Sequence, residues 1–177
     1  MPHQSGDSLA SAPEPQHVPP HPGASSSQVS LRMSRAKRKD TAPEVALRRL
    51  LHARGLRYRV AWPVPGQRRR TIDIAFTRAR VAVFVDGCFW HGCPDHGTEP
   101  SANSEWWASK LAANRTRDLD TNAVLDAAGW AVIRVWEHES PREAADRVAA
   151  TVAERSHEPS ARSSRAQVER DRAARRS

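Results

Sequence analysis

Two acids, a histidine and a set of soft metal donors crowd around one short stretch of this chain, residues 81–97, VAVFVDGCFWHGCPDHG. It opens with Val81 to Val85, a strand apolar enough to be buried on both faces, and then presents Asp86, Cys88, His91, Cys93 and His96 in quick succession. Just upstream, Thr71-Ile72-Asp73-Ile74-Ala75-Phe76 alternates, which puts Ile72, Ile74 and Phe76 on one expected face and Asp73 on the other. A hairpin joining these strands would bring Asp73 and Asp86 to one edge of a sheet. Hard divalent cations such as Mg²⁺ take oxygen ligands, and one or two carboxylates plus substrate phosphate oxygens suit them. An acid inside Ile-Asp-Ile needs a partner or a metal, because an unpaired buried charge is costly. Asp86-Gly87 reads equally as a turn leaving a strand. His91 has the titration range of a general base or acid acting on water near a phosphate; its plainer readings are a zinc ligand or a surface histidine.

The soft donors form Cys88-x₄-Cys93-x₂-His96, and thiolate plus imidazole is what tetrahedral Zn²⁺ selects. The spacing is not that of a standard zinc finger. A fourth ligand must come from elsewhere, and His138, at the end of another strong strand, is either that ligand or an ordinary surface histidine. Such a site would pin the loop carrying Asp86, Phe89, Trp90 and His91. Phe89-Trp90 and Trp106-Trp107 read either as core or, on a basic chain, as wedges of the kind that unstack DNA bases.

The elements that must position these groups follow from periodicity and caps. Thr41-Ala-Pro-Glu44 is a capping box opening a helix whose face is Val45, Leu47, Leu50 and Leu51, stopped by Gly55. Glu44 is therefore first a cap. Tyr58 to Trp62 is a short strand, Pro63 to Gly66 a turn and Gln67 to Arg70 a basic surface loop. Ser104 caps a helix carrying Trp106, Trp107 and Leu111 towards Gly129. WAVIRVWE, 130–137, is a central strand with Trp130 and Trp136 in the core, and Ser140-Pro-Arg-Glu143 caps a last helix to about Glu154. The order defines an α/β protein, a mixed sheet with helices on its faces.

Composition bounds the partners. The 177 residues fit one domain with tails. Lysine and arginine number 28 against 20 acids, so an anionic partner is expected, with nucleic acid first. No apolar run approaches the roughly 18 residues a membrane span needs, and no export or targeting pattern opens the chain, so an intracellular, reducing location is expected. Residues 1–32, rich in Pro, Ser and Gln, and the charged tail 156–177 lack the apolar content to offset ordering. The basic arm around Arg35, Lys37 and Arg38 is either a solvated linker or a lead-in that contacts DNA phosphates.

TAPEVALRRLLHARGLRYRV, IDIAFTRARVAVFVDGCFWHGCPDHG, WWASKLAANRTRD and AGWAVIRVWEHE together resemble the very short patch repair endonucleases of bacteria, from about Met33 to Glu154. The resemblance implies a restriction-endonuclease-like fold over 33–155 with a structural Zn²⁺, and a Mg²⁺-dependent nick in double-stranded DNA, 5′ to the wrong T of T:G mismatches left by 5-methylcytosine deamination. It implies a monomer in the bacterial cytoplasm, on the nucleoid, with other mismatch-repair proteins as candidate partners. By position, Asp73 and the carbonyl of Val85 match Mg²⁺ ligands and His91 the water-activating histidine. Asp86 matches a site position occupied by histidine in the best-studied relative. Glu44 matches an acid near the site, and Asn114 and Asp118 a supporting helix, with Asp118 orienting His91. Cys88, Cys93 and His138 match zinc ligands, His96 being the inferred fourth, and Phe89, Trp90 and Trp107 match the aromatic wedge. Restriction-like nucleases place a lysine two residues beyond their second acid, whereas here that residue is Cys88, which leaves His91 to fill the activating role. Two other readings share these features: a zinc-stabilised DNA-binding module without activity, and a restriction-type enzyme that cuts both strands.

Overall fold

The computed structural model describes residues 18–20, 22–23, 40–98 and 100–157. Its elements are α1 (Ala42–Ala53), β1 (Arg59–Val64), β2 (Gln67–Phe76), β3 (Val81–Asp86), the one-turn helix α2 (Cys88–His91), α3 (Ser104–Ala127), β4 (Ala131–Trp136) and α4 (Pro141–His157). The strands form one sheet in the order β1-β2-β3-β4. The first three are antiparallel neighbours and β4 runs parallel to β3. A parallel neighbour needs a long crossover, and α3 supplies it.

Alternation along β3 and β4 explains the layers. Val81 and Val83 face a cluster with Leu47 and Leu51 of α1 and Ala144, Val148 and Val152 of α4. Ala82 and Phe84 face the other way, towards Leu125 and Val124 of α3. The sheet is thus buried on both sides between α1/α4 and α3, which is why β3 is apolar from Val81 to Val85.

Five local expectations need correcting. Gln67 to Arg70 is not a loop: these residues begin β2, with Val64 paired to Gln67 across a two-residue Pro65-Gly66 turn. The exposed Arg68 and Arg69 keep their charges in water while their backbone runs extended within β2. Ile72 does not share a face with Ile74 and Phe76; it joins Ala75 in the α3-side cluster, while the other two lie on the α1/α4 side. The alternation slips by one at Asp73. Thr41 makes no side-chain cap bond, and Glu44 reaches past it to accept from the Asp40 backbone N–H at 2.9 Å. Ser104 is the first residue of α3, not its cap, which is Asn103 in a left-handed conformation. Trp130, partly buried, packs against the α3-side cluster as expected, whereas Trp136 is partly buried and joins neither cluster.

The helix expected to end near Glu154 runs to His157, so residues 156 and 157, assigned to a disordered tail, are helical; the rest of that tail lies outside the described residues, as do Arg35, Lys37 and Arg38. Most of the 1–32 extension does too, but two of its backbone carbonyls meet the start of α3. Pro19 accepts from the Trp106 indole at 2.9 Å and Gly23 from Asn103 Nδ2 at 3.4 Å. No helix among the described residues is long and apolar enough to cross a membrane.

Candidate active site and metal centre

The slip at Asp73 is where the site begins. β2 and β3 pair only from Ile74↔Val83 to Phe76↔Val81. Beyond that the strands fork, and the Asp73 carboxylate enters the fork to accept the Val85 backbone N–H at 2.9 Å. The carboxylate thus replaces a rung of the ladder, which reconciles a buried acid with the requirement that backbone donors be paired. Burial pushes Asp73 up to about 6, and the nearby charges of Glu44 and Asp86 add to the rise against the lowering effect of the Val85 bond and Arg134.

Around this fork lies a cleft of about 300 Å³ lined by Glu44, Asp73, Val85, Asp86, His91 and Asp118, with Arg69, Arg70, Arg117 and Arg134 among the cations. Glu44 and Asp86 are each only 4% exposed. Both expected carboxylates, the supporting acid and the histidine therefore converge. Asp86 is not an open ligand, however. Its two oxygens accept from Arg134 Nη1 at 2.8 and 2.7 Å. Glu44 combines both readings offered for it, since it holds the Asp40 N–H, sits 3.6 Å from Arg48 and faces the cleft.

His91 Nδ1 lies 2.6 Å from Asp118 Oδ2 and 3.7 Å from Asp86 Oδ1. Burial alone would lower the imidazole, but the Asp118 hydrogen bond and the charges of Asp86 and Asp118 outweigh it, so His91 titrates above its usual range. Burial would likewise raise Asp118, yet the bond from His91 and the charge of Arg134 hold it below the usual carboxylate range. Asn114 serves a neighbouring purpose: its Nδ2 donates to the Trp90 carbonyl at 3.0 Å and ties the α2 turn to α3.

The second cluster sits two residues past Asp86. One ligand atom each from Cys88, Cys93, His96 and His138 lies within 4.8 Å of all the others, with Cys88 Sγ and Cys93 Sγ at 3.1 and 3.7 Å from His138 Nδ1. Ligand atoms around tetrahedral zinc stand about 3.3–3.8 Å apart, given Zn–S and Zn–N bond lengths. The donor set and its spacing thus fit such an ion, and both cysteines are free thiols. In the metal-free chain burial, then Cys93, pushes the Cys88 thiol up to about 11. Gly92, in the left-handed region at φ 65°, closes the turn and lets the Cys93 N–H return to the Cys88 carbonyl at 2.9 Å.

Phe89, Trp90 and Trp107 pack on one another, with ring centroids 5.1 to 5.9 Å apart. All three are half-buried, and none belongs to either core cluster. The plain core reading therefore fails for them. The residue missed from sequence was Arg134. Its signal, a charge inside the apolar run Val-Ile-Arg-Val, is the one that singled out Asp73.

A mixed four-stranded sheet between helical layers, with an acid held in the fork of two strands, matches the restriction-endonuclease-like fold. A family model described as DNA mismatch endonuclease Vsr matches residues 24–96. The type II nicking enzyme V.NaeI of Lentzea aerocolonigenes is 48% identical over 126 residues, 70% of this chain and 74% of that one. V.XorIIP, a type II nicking enzyme of Xanthomonas oryzae pv. oryzae, is 42% identical over 112 residues, 60% and 77% of the two chains. The DNA mismatch endonuclease Vsr of Escherichia coli K12 is 35% identical over 101 residues, 56% and 62%. The chain belongs to the Vsr family of DNA mismatch and nicking endonucleases. Membership supports an endonuclease activity of the nicking or mismatch kind, and binding to DNA with it.

Proposed function

We propose that this protein nicks one strand of duplex DNA on the 5′ side of the mismatched T in a T:G pair produced by 5-methylcytosine deamination, initiating very short patch repair in the bacterial cytoplasm. The observation that carries the reading is the Asp73 carboxylate in the β2/β3 fork, sharing a cleft with the His91–Asp118 pair. Buried and repelled by Glu44 and Asp86, Asp73 has the surroundings of a group that awaits a cation. Oxygen donors at Asp73 and the Val85 carbonyl are what Mg²⁺ accepts. When bound there, such an ion supplies charge to the scissile phosphate and acidifies water.

The chain's own residues supply the rest. Asp118 holds His91 Nδ1, which leaves Nε2 as the basic nitrogen of the neutral ring. His91 takes a proton from the attacking water as its oxygen bonds to phosphorus in line, and the P–O3′ bond breaks to leave a 5′-phosphate and a 3′-hydroxyl protonated by solvent. Arg69, Arg117 and the arm at Arg35, Lys37 and Arg38 contact the phosphate backbone. Zn²⁺ on Cys88, Cys93, His96 and His138 keeps the α2 turn rigid, and Phe89, Trp90 and Trp107 insert beside the mismatch.

The test is incubation of the protein and Mg²⁺ with strand-labelled duplexes carrying T:G or T:A at one site. One cut, in the T strand of the T:G duplex only, is expected; equal cutting of both duplexes or none refutes the reading, and two cuts identify a restriction-type enzyme. Asp73→Ala should abolish nicking with zinc content and salt-sensitive binding retained. A binding module without activity would be indifferent to that change.

A further inference from the structure

We infer that Arg134 is a positioning residue of this site, holding Asp86 and Asp118 in one frame and thereby aiming His91. The inference rests on the nicking reading above for its activity readout. Arg134 arises from β4, in register with Phe84 of β3. Its β4 neighbours Ile133 and Val135 face the α1/α4 cluster, so alternation sends Arg134 to the opposite face, where the cleft lies. There its guanidinium stands 4.9 Å over the Phe84 ring.

Every nitrogen of the fork is engaged. Nη1 donates to both oxygens of Asp86 at 2.8 and 2.7 Å, Nη2 lies 3.2 Å from Asp118 Oδ1, and Nε donates to Asn122 Oδ1 at 3.2 Å. The other oxygen of Asp118 meets His91 Nδ1 at 2.6 Å. The result is a continuous chain, Asp86 to Arg134 to Asp118 to His91. A carboxylate with only one of its oxygens fixed can rotate; Asp118 is gripped at both, so the imidazole of His91 has one orientation and one tautomer.

The architecture explains why the cation comes from β4. Position 88, which follows Asp86 by two on its own strand path, is a cysteine of the metal cluster. A charge for Asp86 must therefore enter from the neighbouring strand. Arginine suits the place because its planar fork spans two carboxylates and its charge is permanent. A lysine supplies one point charge and cannot bridge both.

Four variants test this: Arg134→Lys, Arg134→Gln, Asp86→Asn, and Arg134→Gln combined with Asp86→Asn, which removes the unpaired buried charge that could unfold the single Gln variant. The readouts are thermal melting, binding to the T:G duplex without Mg²⁺, single-turnover nicking at saturating enzyme, and the slowly exchanging His91 Nδ1–H proton by NMR. Arg134→Lys should melt and bind like the wild type yet nick about 10–100-fold more slowly, as loss of an orienting partner does, and its Nδ1–H signal should be lost or broadened. The double variant should remain as slow as Arg134→Gln. Wild-type nicking by Arg134→Lys with the signal intact overturns the inference. So does recovery of the double variant to the rate of Asp86→Asn alone, since Arg134 would then merely neutralise Asp86. Should the wild type fail to nick T:G DNA, the functional reading fails by itself, and the Nδ1–H signal in Arg134→Lys still decides: loss supports the positioning role and retention overturns it.

Discussion

Replacing Asp73 by asparagine should strengthen the folded state of the magnesium-free protein while abolishing nicking. Asp73 rises from its ordinary 3.8 to about 6, burial being the largest cause. The sign follows directly. Between these values the folded chain keeps a proton that the unfolded chain has released, so stability from this group is complete below 3.8 and is lost as pH rises to about 6. The gap corresponds to about 3 kcal/mol against the folded state at pH 7, from about 1.4 kcal/mol per tenfold in proton affinity. Asparagine escapes this penalty, and its carboxamide oxygen can still accept the Val85 N–H, so the variant should gain about 1–3 kcal/mol at pH 7 and only about 0.5 kcal/mol at pH 4. The assay is urea denaturation of both proteins across pH 4 to 8 in magnesium-free buffer, without chelator so that zinc stays bound. Carboxylates outside the cleft titrate alike in both proteins and cancel in the difference, while Glu44 and Asp86, relieved of the Asp73 charge, add to the gain of the variant. Added Mg²⁺ should then stabilise the wild type and leave Asp73→Asn unmoved. A variant less stable than wild type at pH 7, or a difference that does not change with pH, would refute the account of Asp73 as a buried acid awaiting a cation.

Nicking by the wild type should rise with pH through a value above the ordinary histidine range, because His91 must be neutral to accept a proton and its carboxylate neighbours raise it. Asp118→Asn should shift that limb to lower pH and reduce the plateau, measured as single-turnover rate against pH; an unshifted limb dissociates Asp118 from His91. Zinc content should be one per chain and fall in Cys93→Ser and in His96→Ala, as read by elemental analysis, and a His96→Ala protein that keeps its metal would remove His96 from the ligand set. Trp107→Ala should cost only about 1 kcal/mol of stability, the scale of an aromatic pair outside the core, while weakening binding to the T:G duplex more than to T:A. Equal weakening for both duplexes would count against the wedge. Leu125→Ala, at a fully buried position, should instead cost about 2–5 kcal/mol in denaturant melts with duplex preference unchanged.

Strand and helix identities were legible because burial imposes a period. β3 is apolar from Val81 to Val85 because helices cover both faces, and α1 shows its stripe because one face packs on α4. The convergence of Asp73 and Asp86 was legible from adjacent strands of opposite direction, but β2 and β3 are the two inner strands, so the acids meet where these strands fork and not at a sheet edge. What escaped was set by interactions without a local period. Arg68 and Arg69 read as loop because nothing in three arginines announces an extended strand, and they lie where the β1/β2 register shifts between Pro63 and Val64. The slip that sends Ile72 to the far face depends on the Val85 N–H finding the Asp73 carboxylate, a contact between residues twelve apart. The capture of Asp86 by Arg134 joins residues 48 apart, and its only local trace is one charge in an apolar strand.

The two clusters are mechanically one construction. The parallel ladder of β3 and β4 ends at Asp86↔Trp136, and three contacts carry it further: Glu137 N–H to the Asp86 carbonyl at 2.9 Å, Cys88 N–H to Glu137 Oε1 at 2.7 Å, and Cys88 Sγ beside His138 Nδ1 at 3.1 Å. The first is a backbone rung, the second uses a side-chain carboxylate and the third joins two side chains, and this last would acquire the strength of coordinate bonds only with a metal between the two atoms. A metal at the cluster would therefore act as the terminal rung of the sheet. Asp86 lies before this stitched segment and His91 within it, on the turn that Cys88 and Cys93 bracket, so an ion held there would govern the geometry of the cleft without taking part in its chemistry. Removing it should loosen the His91–Asp118 hydrogen bond before it unfolds either core cluster, since Leu47, Val83 and Leu125 make no contact that depends on it.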